Sequence, residues 1–390
     1  MVSHQVGRND GQGRVNYEIA RAALHQGHRL AVLASRCASD IADHPNTELI
    51  TFNVSKWPTQ LLRNVVFARQ STHWLKQNAR NFDIVHVTGF ITWAPSDVNA
   101  VHFVHGAWVR NVYYPFRKWW SSFYTAYQRL FTTLNVKWEL GAFRRTDSLV
   151  AVSRKVAKEL ESIGVPHEKI RVIHNGVDTE EFHPGLEDRS RFHLPSNVPL
   201  FLFAGDIRTP RKNLDTVLKA LQDVPGLHFA IAGNPDGSPY PAMAKALGLS
   251  DRVHFLGLTR EMPTLMRSVD AFVFPSRHES MALVLIEAMA SGLPVLTAHT
   301  SGGAEILSEA GRILDNPDDT SLLSAWMKEL AANQTLRRTM GEAGRAIALS
   351  HNWKRMAQEY LQLYEEIYRR KRNGSETSSA KLNAISCEVS

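Results

Sequence analysis

Cysteine is scarce in this chain: only Cys37 and Cys387 occur in 390 residues, and they lie far apart in the sequence. A disulfide framework is therefore not expected, which fits a reducing compartment. No apolar run approaches the roughly 18 residues of a membrane span. The start of the chain also lacks the charged and apolar regions of a secretion signal. We therefore expect a cytoplasmic protein without a transmembrane helix.

The remaining composition is that of a globular protein, with 44% hydrophobic and 21% charged residues. A length of 390 residues is enough for two domains with substantial cores. The formal net charge of +7 favours acidic partners, whether phosphorylated ligands, anionic lipid or nucleic acid. No helix-turn-helix, zinc or RNP pattern accompanies the basic residues, so we do not expect nucleic-acid binding.

The first half of the chain alternates strands and helices and begins with a glycine loop. Gly11-Gln12-Gly13 precedes a predicted helix, whose free N–H groups attract anions, and a buried strand at 30–34. The loop could be a dinucleotide fingerprint, but Asn16 replaces the third glycine and the preceding strand is only a few residues long. An NADP-dependent enzyme stays open, because Ser35-Arg36 could hold a 2′-phosphate. The short first strand indicates a trimmed or misassigned start, or an unusual sheet edge.

The run AVHFVH at 100–105 predicts a strand ending at His105, followed by Gly106. Ligands of open α/β sheets bind beyond the carboxyl ends of the strands. This position makes His105 a candidate site residue, and a packed or solvent-facing histidine is the alternative.

Residues 109–145 combine aromatic and basic side chains. Apolar residues recur at helical spacing at Trp119, Phe123, Tyr127, Leu130, Leu134 and Trp138. Such a face suits a bilayer interface or an aromatic-lined acceptor groove. A long amphipathic helix packed on its own domain is the alternative.

The second half begins with the strand PLFLFAG, which ends at Gly205 and leads into a basic loop with Arg208, Arg211 and Lys212. Basic side chains near a helix start can cradle a diphosphate, and a surface cluster is the alternative. Two further strands, at 228–233 and 252–257, also end in glycine. At such ends, including Gly233, the backbone can approach a base or ribose closely.

Two glutamates stand out in the stretch from 274 to 296. Glu279 lies in a predicted loop, and Glu287 lies on a helix that is otherwise apolar or small. A carboxylate is costly to bury there unless it faces a polar ligand. Both could face one elongated ligand, but solvated or capping glutamates fit the spacing equally well. Gly302-Gly303 then predicts the start of another helix at the same site.

With these residues assembled, residues 1–370 resemble retaining nucleotide-sugar glycosyltransferases of family 4. The most specific match is Glu279, seven intervening residues, and then Glu287-Ala288-Met289-Ala290. The resemblance implies the α/β GT-B fold, with two Rossmann-like domains facing a cleft. The acceptor-side domain would be 1–172, completed by a helix at 353–372, and the nucleotide-sugar-binding domain would be 173–352. The polar tail, 373–390, lacks periodicity and is expected to be disordered.

The resemblance also implies roles for the candidate residues. Glu287 would hold the ribose hydroxyls, and Glu279 would lie over the donor sugar and phosphates. The donor-site set is Gly13, Gly205, Arg211, Lys212, Gly233, the backbone of Ser280, Met281 and Ala282, and Glu287. His105 would lie beside the transferred sugar. Asp206 stands where the family often has arginine, so the diphosphate role passes to Arg211 and Lys212, with Arg208 in doubt.

The implied reaction transfers a hexose-type sugar from a nucleoside diphosphate sugar to an acceptor hydroxyl, with retention. No Asp-x-Asp occurs in the chain, and the resemblance implies a metal-independent reaction without a cofactor. Expected partners are the donor, an unidentified glycan, lipid-linked or small-molecule acceptor, and an anionic membrane contacted peripherally through 109–145. The alternatives are an NAD(P)-dependent oxidoreductase, a non-catalytic sugar-nucleotide-binding protein, and a 2-epimerase or phosphorylase of the same fold.

Overall fold

The structure, a computed structural model, describes residues 1–8, 11–116, 122–186 and 188–387, with side chains as far as residue 373. The chain forms two compact units. The first contains Met1–Ala151, Ala157–Ile173 and Lys354–Ser390, and the second contains Val152–Val156 and His174–Trp353.

The first unit is an α/β unit with parallel strands. Its strands are β1 (Gln5–Val6), β2 (Leu30–Ala34), β3 (Arg36–Cys37), β4 (Thr47–Thr51), β5 (His86–Thr88), β6 (Ser96–Val101), β7 (Thr146–Ala151) and β8 (Ile170–Val172). The helices that accompany them are α1 (Gly11–His25), α2 (Ser39–Ala42), α3 (Gln60–Asn78), α4 (His105–Trp108), α5 (Phe123–Arg144) and α6 (Arg154–Ser162), the last of which begins in the second unit.

Residues 1–3 occupy the position of a strand between β2 and β5. Val2 bridges in parallel to Leu33 on one side and to Val87 on the other. Its N–H donates to the carbonyl of His86 at 2.8 Å, and the N–H of Ser3 donates to the carbonyl of Leu33 at 3.0 Å. The parallel order is therefore β4-β2-Val2-β5-β6-β7-β8, as in dinucleotide-binding folds. The shortened first strand still joins the two halves of the sheet.

Asn16 explains why the glycine loop departs from the dinucleotide fingerprint. Its side chain is fully buried. The amide Nδ2 donates to Ser3 Oγ at 2.7 Å, and the hydroxyl of Thr88 donates to Asn16 Oδ1 at 3.2 Å. Asn16 thus links α1 to Ser3 and to β5 by hydrogen bonds. The dinucleotide fingerprint has a glycine at this position, which could not form these bonds.

The second unit is a six-stranded parallel sheet with flanking helices. Its strands are β9 (Leu200–Ala204), β10 (His228–Ala232), β11 (Val253–Gly257), β12 (Ala271–Phe274), β13 (Val295–Ala298) and β14 (Gly311–Leu314). Its helices are α7 (Leu214–Gln222), α8 (Tyr240–Ala246), α9 (Met262–Arg267), α10 (Leu283–Ala290), α11 (Thr320–Ala332) and α12 (Gln334–Ser350). The order β11-β10-β9-β12-β13-β14 is again that of a Rossmann-like unit. Buried phenylalanines of β9, β10 and β12 fill its core.

The last helix, α13 (Trp353–Cys387), belongs to the first unit from Lys354 onward. Tyr364 Oη lies 2.5 Å from His86 Nδ1, and Lys371 pairs with Asp97 at 2.6 Å. The helix extends past the predicted end at 372 into the segment expected to be disordered. That segment contains no proline, so its backbone has nothing that must stop a helix.

The predicted strand at 100–105 is wrong. The strand β6 is Ser96–Val101, and His105 begins the short helix α4 after a three-residue connection. The start of β6 is polar and therefore does not show the apolar pattern of a buried strand. Its polar side chains can be buried because they form hydrogen bonds with other parts of the chain. Asp97 accepts from the N–H of Val85 at 2.7 Å, and Asn99 accepts from the N–H of Gly89 at 2.7 Å.

The aromatic stripe of 109–145 is not the buried face of α5. Phe123 is 98% exposed and Leu130 is 47% exposed. The buried residues of this helix are instead Thr125, Thr132, Asn135, Glu139, Ala142 and Phe143. The helix begins only at Phe123, capped by Ser122, and Trp119 lies outside the described residues. The stripe therefore packs only in part, since the ring of Trp138 stacks on Phe90 while Phe123 and Leu130 stay exposed.

Candidate functional site

In the second unit, Arg211 and Lys212 enclose the carboxylate of Glu279. Glu279 Oε1 lies 3.0 Å from Arg211 Nη1 and 2.5 Å from Lys212 Nζ. The side chains of Lys212 and Glu279 are only 14% and 12% exposed. The structure thus brings three predicted site residues, from two distant stretches of the chain, into one cluster, which we call the basic cluster.

The basic loop is held against the end of β12 by Asn213, which was not singled out from the sequence. Asn213 has a left-handed backbone with φ 65°. Its Nδ2 donates to the carbonyls of Pro275 and Pro317 at 2.8 and 2.7 Å. Arg277 also stabilises this loop, because its guanidinium donates to both carboxylate oxygens of Asp215 at 2.9 and 2.8 Å. The basic cluster is therefore positioned before any ligand arrives.

The electrostatics of the cluster favour an anionic ligand. Burial lowers the pKa of Lys212, and the carboxylate of Glu279 opposes this shift. A buried cation needs a nearby negative charge, and Glu279 supplies it. A diphosphate could supply the same charge with more oxygen acceptors.

Gly205 and Gly233 allow two strand ends to meet beside the cluster. Gly205 has φ +158°, and a Cβ on it would lie 3.7 Å from Lys212 Cδ. A Cβ on Gly233 would lie 2.4 Å from the carbonyl oxygen of Gly205. Any other residue at this position would therefore clash with that oxygen. The backbones at these two strand ends therefore contact each other, and the predicted approach of either one to a base or ribose stays a prediction.

The loop at 279–282 presents backbone N–H groups. Its carbonyls are occupied: Gly302 N–H donates to Glu279 O at 3.0 Å, and Ser153 Oγ donates to Ser280 O at 2.6 Å. In the described part of the chain, no backbone carbonyl accepts a hydrogen bond from the N–H groups of Ser280, Met281 and Ala282. These three groups lead into the start of α10, where N–H groups bind anions.

Ala282 carries backbone strain at this point. Its φ is +61°, in the left-handed region that disfavours residues with a Cβ. The conformation ends the loop and starts α10 at Leu283. Strain of this kind persists where the surrounding structure requires it and clusters at ligand sites.

The glycine pair after β13 forms a 3₁₀ turn, Gly302–Ile306, rather than the predicted helix. A Cβ on Gly302 would lie 1.9 Å from Ser280 O, and one on Gly303 would lie 2.3 Å from Met281 O. These glycines therefore support the 279–282 loop by letting two backbones touch. The sequence pattern singled out these two glycines as the start of a helix at the site, whereas the structure shows them in contact with the 279–282 loop.

Glu287 lies on α10 and is half-buried between the buried Ile286 and Ala288. It is roughly 7 Å along the helix axis from Ala282, at 1.5 Å per residue. Glu287 therefore lies apart from the basic cluster. This separation fits a residue that binds a different part of an elongated ligand. Its role with a ribose stays a prediction.

Arg208 is not part of the basic cluster. Its guanidinium forms a bidentate pair with Asp206, at 2.8 and 3.0 Å, and its side chain is 55% exposed. Hydrogen bonding from Arg208 lowers the pKa of Asp206. Asp206 stands where the resembled family often has arginine. It forms an ion pair with Arg208, which therefore does not join the basic cluster.

In the first unit, Gly13 and His105 line one cavity of about 310 Å³, which we call the first-unit cavity. It lies at the carboxyl ends of β5 and β6, since Thr88 and His102 also line it. A larger cavity of about 1500 Å³ lies at the amino ends of β2 and β4 and is lined by none of the predicted site residues.

Glu139 holds His105 in place, and the sequence analysis did not single it out. The backbone N–H of His105 donates to Glu139 Oε2 at 2.9 Å, and His105 Nδ1 lies 3.3 Å from Glu139 Oε1. Glu139 is 2% exposed. It is an acidic residue in a helix that is otherwise aromatic, basic or neutral, and this contrast was a signal that could have identified it.

Two negative findings apply to the part of the chain that the structure describes. It contains no group of three or more His, Cys, Asp or Glu side chains arranged to hold a metal ion. Within the same residues, no helix combines the length and hydropathy needed to cross a bilayer.

Comparisons with known proteins match the two halves of the chain to two different family models. The family model described as Glycosyltransferase Family 4 matches residues 9–181, and the model described as Glycosyl transferases group 1 matches residues 186–347. The D-inositol 3-phosphate glycosyltransferase of Mycolicibacterium smegmatis is 34% identical over 185 residues, which cover 44% of this chain. The match spans 42% of that relative's length, which is less than half.

Solved structures show the fold. Sucrose-phosphate synthase from Thermosynechococcus elongatus matches with a TM-score of 0.76 and 18% identity, covering 95% of this chain and 98% of its own. HepE of Anabaena, crystallised in complex with UDP-glucose, matches with a TM-score of 0.67 and 17% identity, covering 94% and 98%. Together with the two parallel sheets, these matches confirm the predicted GT-B fold.

Proposed function

The chain is a GT-B protein whose two halves match glycosyltransferase models, and we propose that it transfers a hexose-type sugar from a nucleoside diphosphate sugar to an acceptor hydroxyl. The observation that supports this best is the basic cluster, in which Arg211 and Lys212 share the carboxylate of Glu279. Beside it lie the N–H groups of 280–282. Cations and N–H donors together suit a diphosphate leaving group.

Donor binding replaces the partner of the basic cluster. The diphosphate takes the place of Glu279 beside Arg211 and Lys212, and Glu279 is released toward the donor sugar. The two cations then stabilise the negative charge that develops on the departing diphosphate. Glu287 holds the ribose hydroxyls at the far end of the donor.

Sugar transfer proceeds with retention and without a resident metal ion or cofactor. The acceptor oxygen bonds to the anomeric carbon on the face from which the diphosphate leaves, and its proton passes to the departing diphosphate, without a covalent intermediate. His105, held by Glu139, lies beside the transferred sugar. The proposal of metal independence rests on the two side-chain cations, which supply the positive charge that a metal ion would otherwise supply to the diphosphate.

UDP sugars are the first donors to test, because HepE of Anabaena binds UDP-glucose. For the acceptor, we extend the proposal to a peripheral membrane contact through 109–145. Phe123 and Leu130 are exposed, and exposed aromatic and apolar side chains beside basic residues suit an anionic bilayer surface. This contact would serve a lipid-linked acceptor.

A donor screen tests the proposed function. UDP, GDP and ADP sugars are added to the protein, and the melting temperature and nucleotide release are measured with and without EDTA. A donor that binds only the folded state raises the melting temperature, and EDTA should leave its turnover unchanged. NMR of the product should show the anomeric configuration of the donor. Binding without transfer to any acceptor would support a non-catalytic binding protein instead.

The oxidoreductase alternative is not favoured. Both halves match glycosyltransferase models, and Asn16 fills the position of the third fingerprint glycine with a buried, hydrogen-bonded side chain. Nicotinamide absorbance should therefore stay constant in the presence of the protein and candidate alcohols.

A further inference from the structure

The first-unit cavity is polar, but its polarity comes mainly from uncharged groups. Its wall contains the amides of Gln60, Asn64 and Asn135, and the imidazoles of His4, His102 and His105, the last of which pairs with Glu139. In the described residues that line it, there is no lysine or arginine. The aromatic ring of Phe131 adds an apolar surface.

The imidazoles of His4 and His102 are half-buried and are uncharged at neutral pH. Burial lowers the pKa values of His4 and His102 to about 4. His102 Nε2 is also buried without a hydrogen-bond partner in the described chain. Buried polar atoms are normally paired, and the side chain of His102 lines the cavity.

The carboxylate of this wall comes from Glu139, which is nearly fully buried. A like charge placed beside a buried carboxylate is repelled strongly, because the protein interior screens charge weakly. The start of α1, at the Gly13 end of the cavity, attracts anions, and this is the end predicted to approach the donor phosphate. The remaining wall therefore accepts hydroxyl groups and disfavours anions.

We propose that the first-unit cavity binds an uncharged polyol ring as the acceptor and rejects its phosphorylated form. The volume of about 310 Å³ is at the lower end of the roughly 300–1,000 Å³ found for small-molecule sites, which suits one ring. Amides and imidazoles pair with hydroxyls, the aromatic ring packs on the apolar face of the polyol, and Glu139 disfavours a phosphate. This inference rests on the proposed function and differs from the phosphorylated inositol in the name of the Mycolicibacterium relative.

Matched acceptor pairs test the proposal. Glucose and glucose 6-phosphate, mannose and mannose 6-phosphate, and myo-inositol and its monophosphate are compared at a saturating donor concentration. We expect at least one neutral member to stimulate nucleotide release about tenfold more than its phosphate, which corresponds to 1.4 kcal/mol. An equal or better response to the phosphorylated members, or no response to any neutral member, overturns the proposal.

A donor control separates this proposal from the proposed function. The same samples are scanned for the rise in melting temperature caused by the donor alone. If the donor binds and only the acceptor preference fails, the acceptor proposal is wrong and the proposed function stands. If no nucleotide sugar binds, the proposed function itself fails.

A charge-adding variant tests the physical cause. Gln60 lines the cavity and is exposed at its rim, so Gln60→Arg should fold and should add a cation to the wall. We expect this variant to raise the response to phosphorylated acceptors several-fold relative to their neutral partners. Gln77→Arg, on the same helix but outside the cavity, is the matched control and should not change the preference. An unchanged preference in Gln60→Arg would contradict the role of charge.

Discussion

The candidate sites of the two units are built on the same strand order but have opposite electrostatic characters. In the second unit, the loop after β9 supplies two cations that share one carboxylate. In the first unit, the cavity at the ends of β5 and β6 is lined by amides of α3 and α5, by imidazoles, and by one buried carboxylate, Glu139 of α5. The comparison shows that the sheet places a site at its carboxyl edge, whereas the loops and helices around that edge decide which ligand chemistry the site accepts.

The largest expected effect is on the basic cluster. Lys212→Ala removes a cation that stabilises the leaving group, and we expect transfer to fall on the order of 10²–10³-fold. Steady-state nucleotide release measures it, with circular dichroism to show that the variant is folded. Arg208→Ala is the matched control, since Arg208 pairs with Asp206 outside the cluster. Full turnover by a folded Lys212→Ala protein would remove the diphosphate assignment.

Glu279→Gln separates binding from transfer in the same cluster. The diphosphate no longer competes with a carboxylate for Arg211 and Lys212, so nucleotide binding by calorimetry should be as tight or tighter. Transfer should fall on the order of a hundredfold, because the donor sugar loses its neighbouring carboxylate. The control is Glu261→Gln, at an exposed pair with Arg191. Weaker nucleotide binding in Glu279→Gln would contradict the proposed exchange of partners.

Gly302→Ala tests whether the 279–282 loop needs its backbone support. An added Cβ would lie 1.9 Å from Ser280 O, so the loop must shift, at a cost of about 2 kcal/mol. We expect a melting temperature lower by a few degrees and weaker nucleotide binding. Gly7→Ala is the control, since its Cβ would meet nothing nearer than Ala38 Cβ at 4.0 Å. Unchanged stability and binding in Gly302→Ala would argue against this support.

In the first unit, Glu139→Gln should have a smaller effect. The amide can still accept from the N–H of His105, but the charged partner of the imidazole is lost, which should reduce kcat about tenfold. Separate kcat and KM values distinguish a positioning role from acceptor binding. Glu161→Gln, at an exposed histidine pair with His167, should change neither value. A kcat equal to that of the unaltered protein would show that Glu139 does not act through His105.

The smallest expected effect on stability is at Phe123. This side chain is 98% exposed, so Phe123→Ser should change the free energy of unfolding by no more than about 0.5 kcal/mol. The same change should reduce co-sedimentation with anionic liposomes. If the melting temperature falls clearly while liposome binding stays the same, Phe123 packs within the protein and the membrane proposal loses its main support.

Much of the second unit could be predicted from the sequence, and less of the first. The runs at 199–205 and 228–233 correspond to β9 (Leu200–Ala204) and β10 (His228–Ala232), because fully buried parallel strands form continuous apolar runs that end in glycine. By contrast, β6 contains Ser96, Asp97 and Asn99, whose partners lie in other parts of the chain. Its start could not be recognised without those partners.

The sequence alone determined the alternation of strands and helices, the glycines at strand ends and the spacing of Glu279 and Glu287. Each of these is a local pattern that follows from burial or backbone freedom. Only the tertiary structure decided that Glu279 pairs with Lys212, that Glu139 holds His105 and that Val2 joins two halves of a sheet. These contacts join residues far apart in the chain, and their geometry depends on where the sheets place the strand ends, which no local pattern encodes.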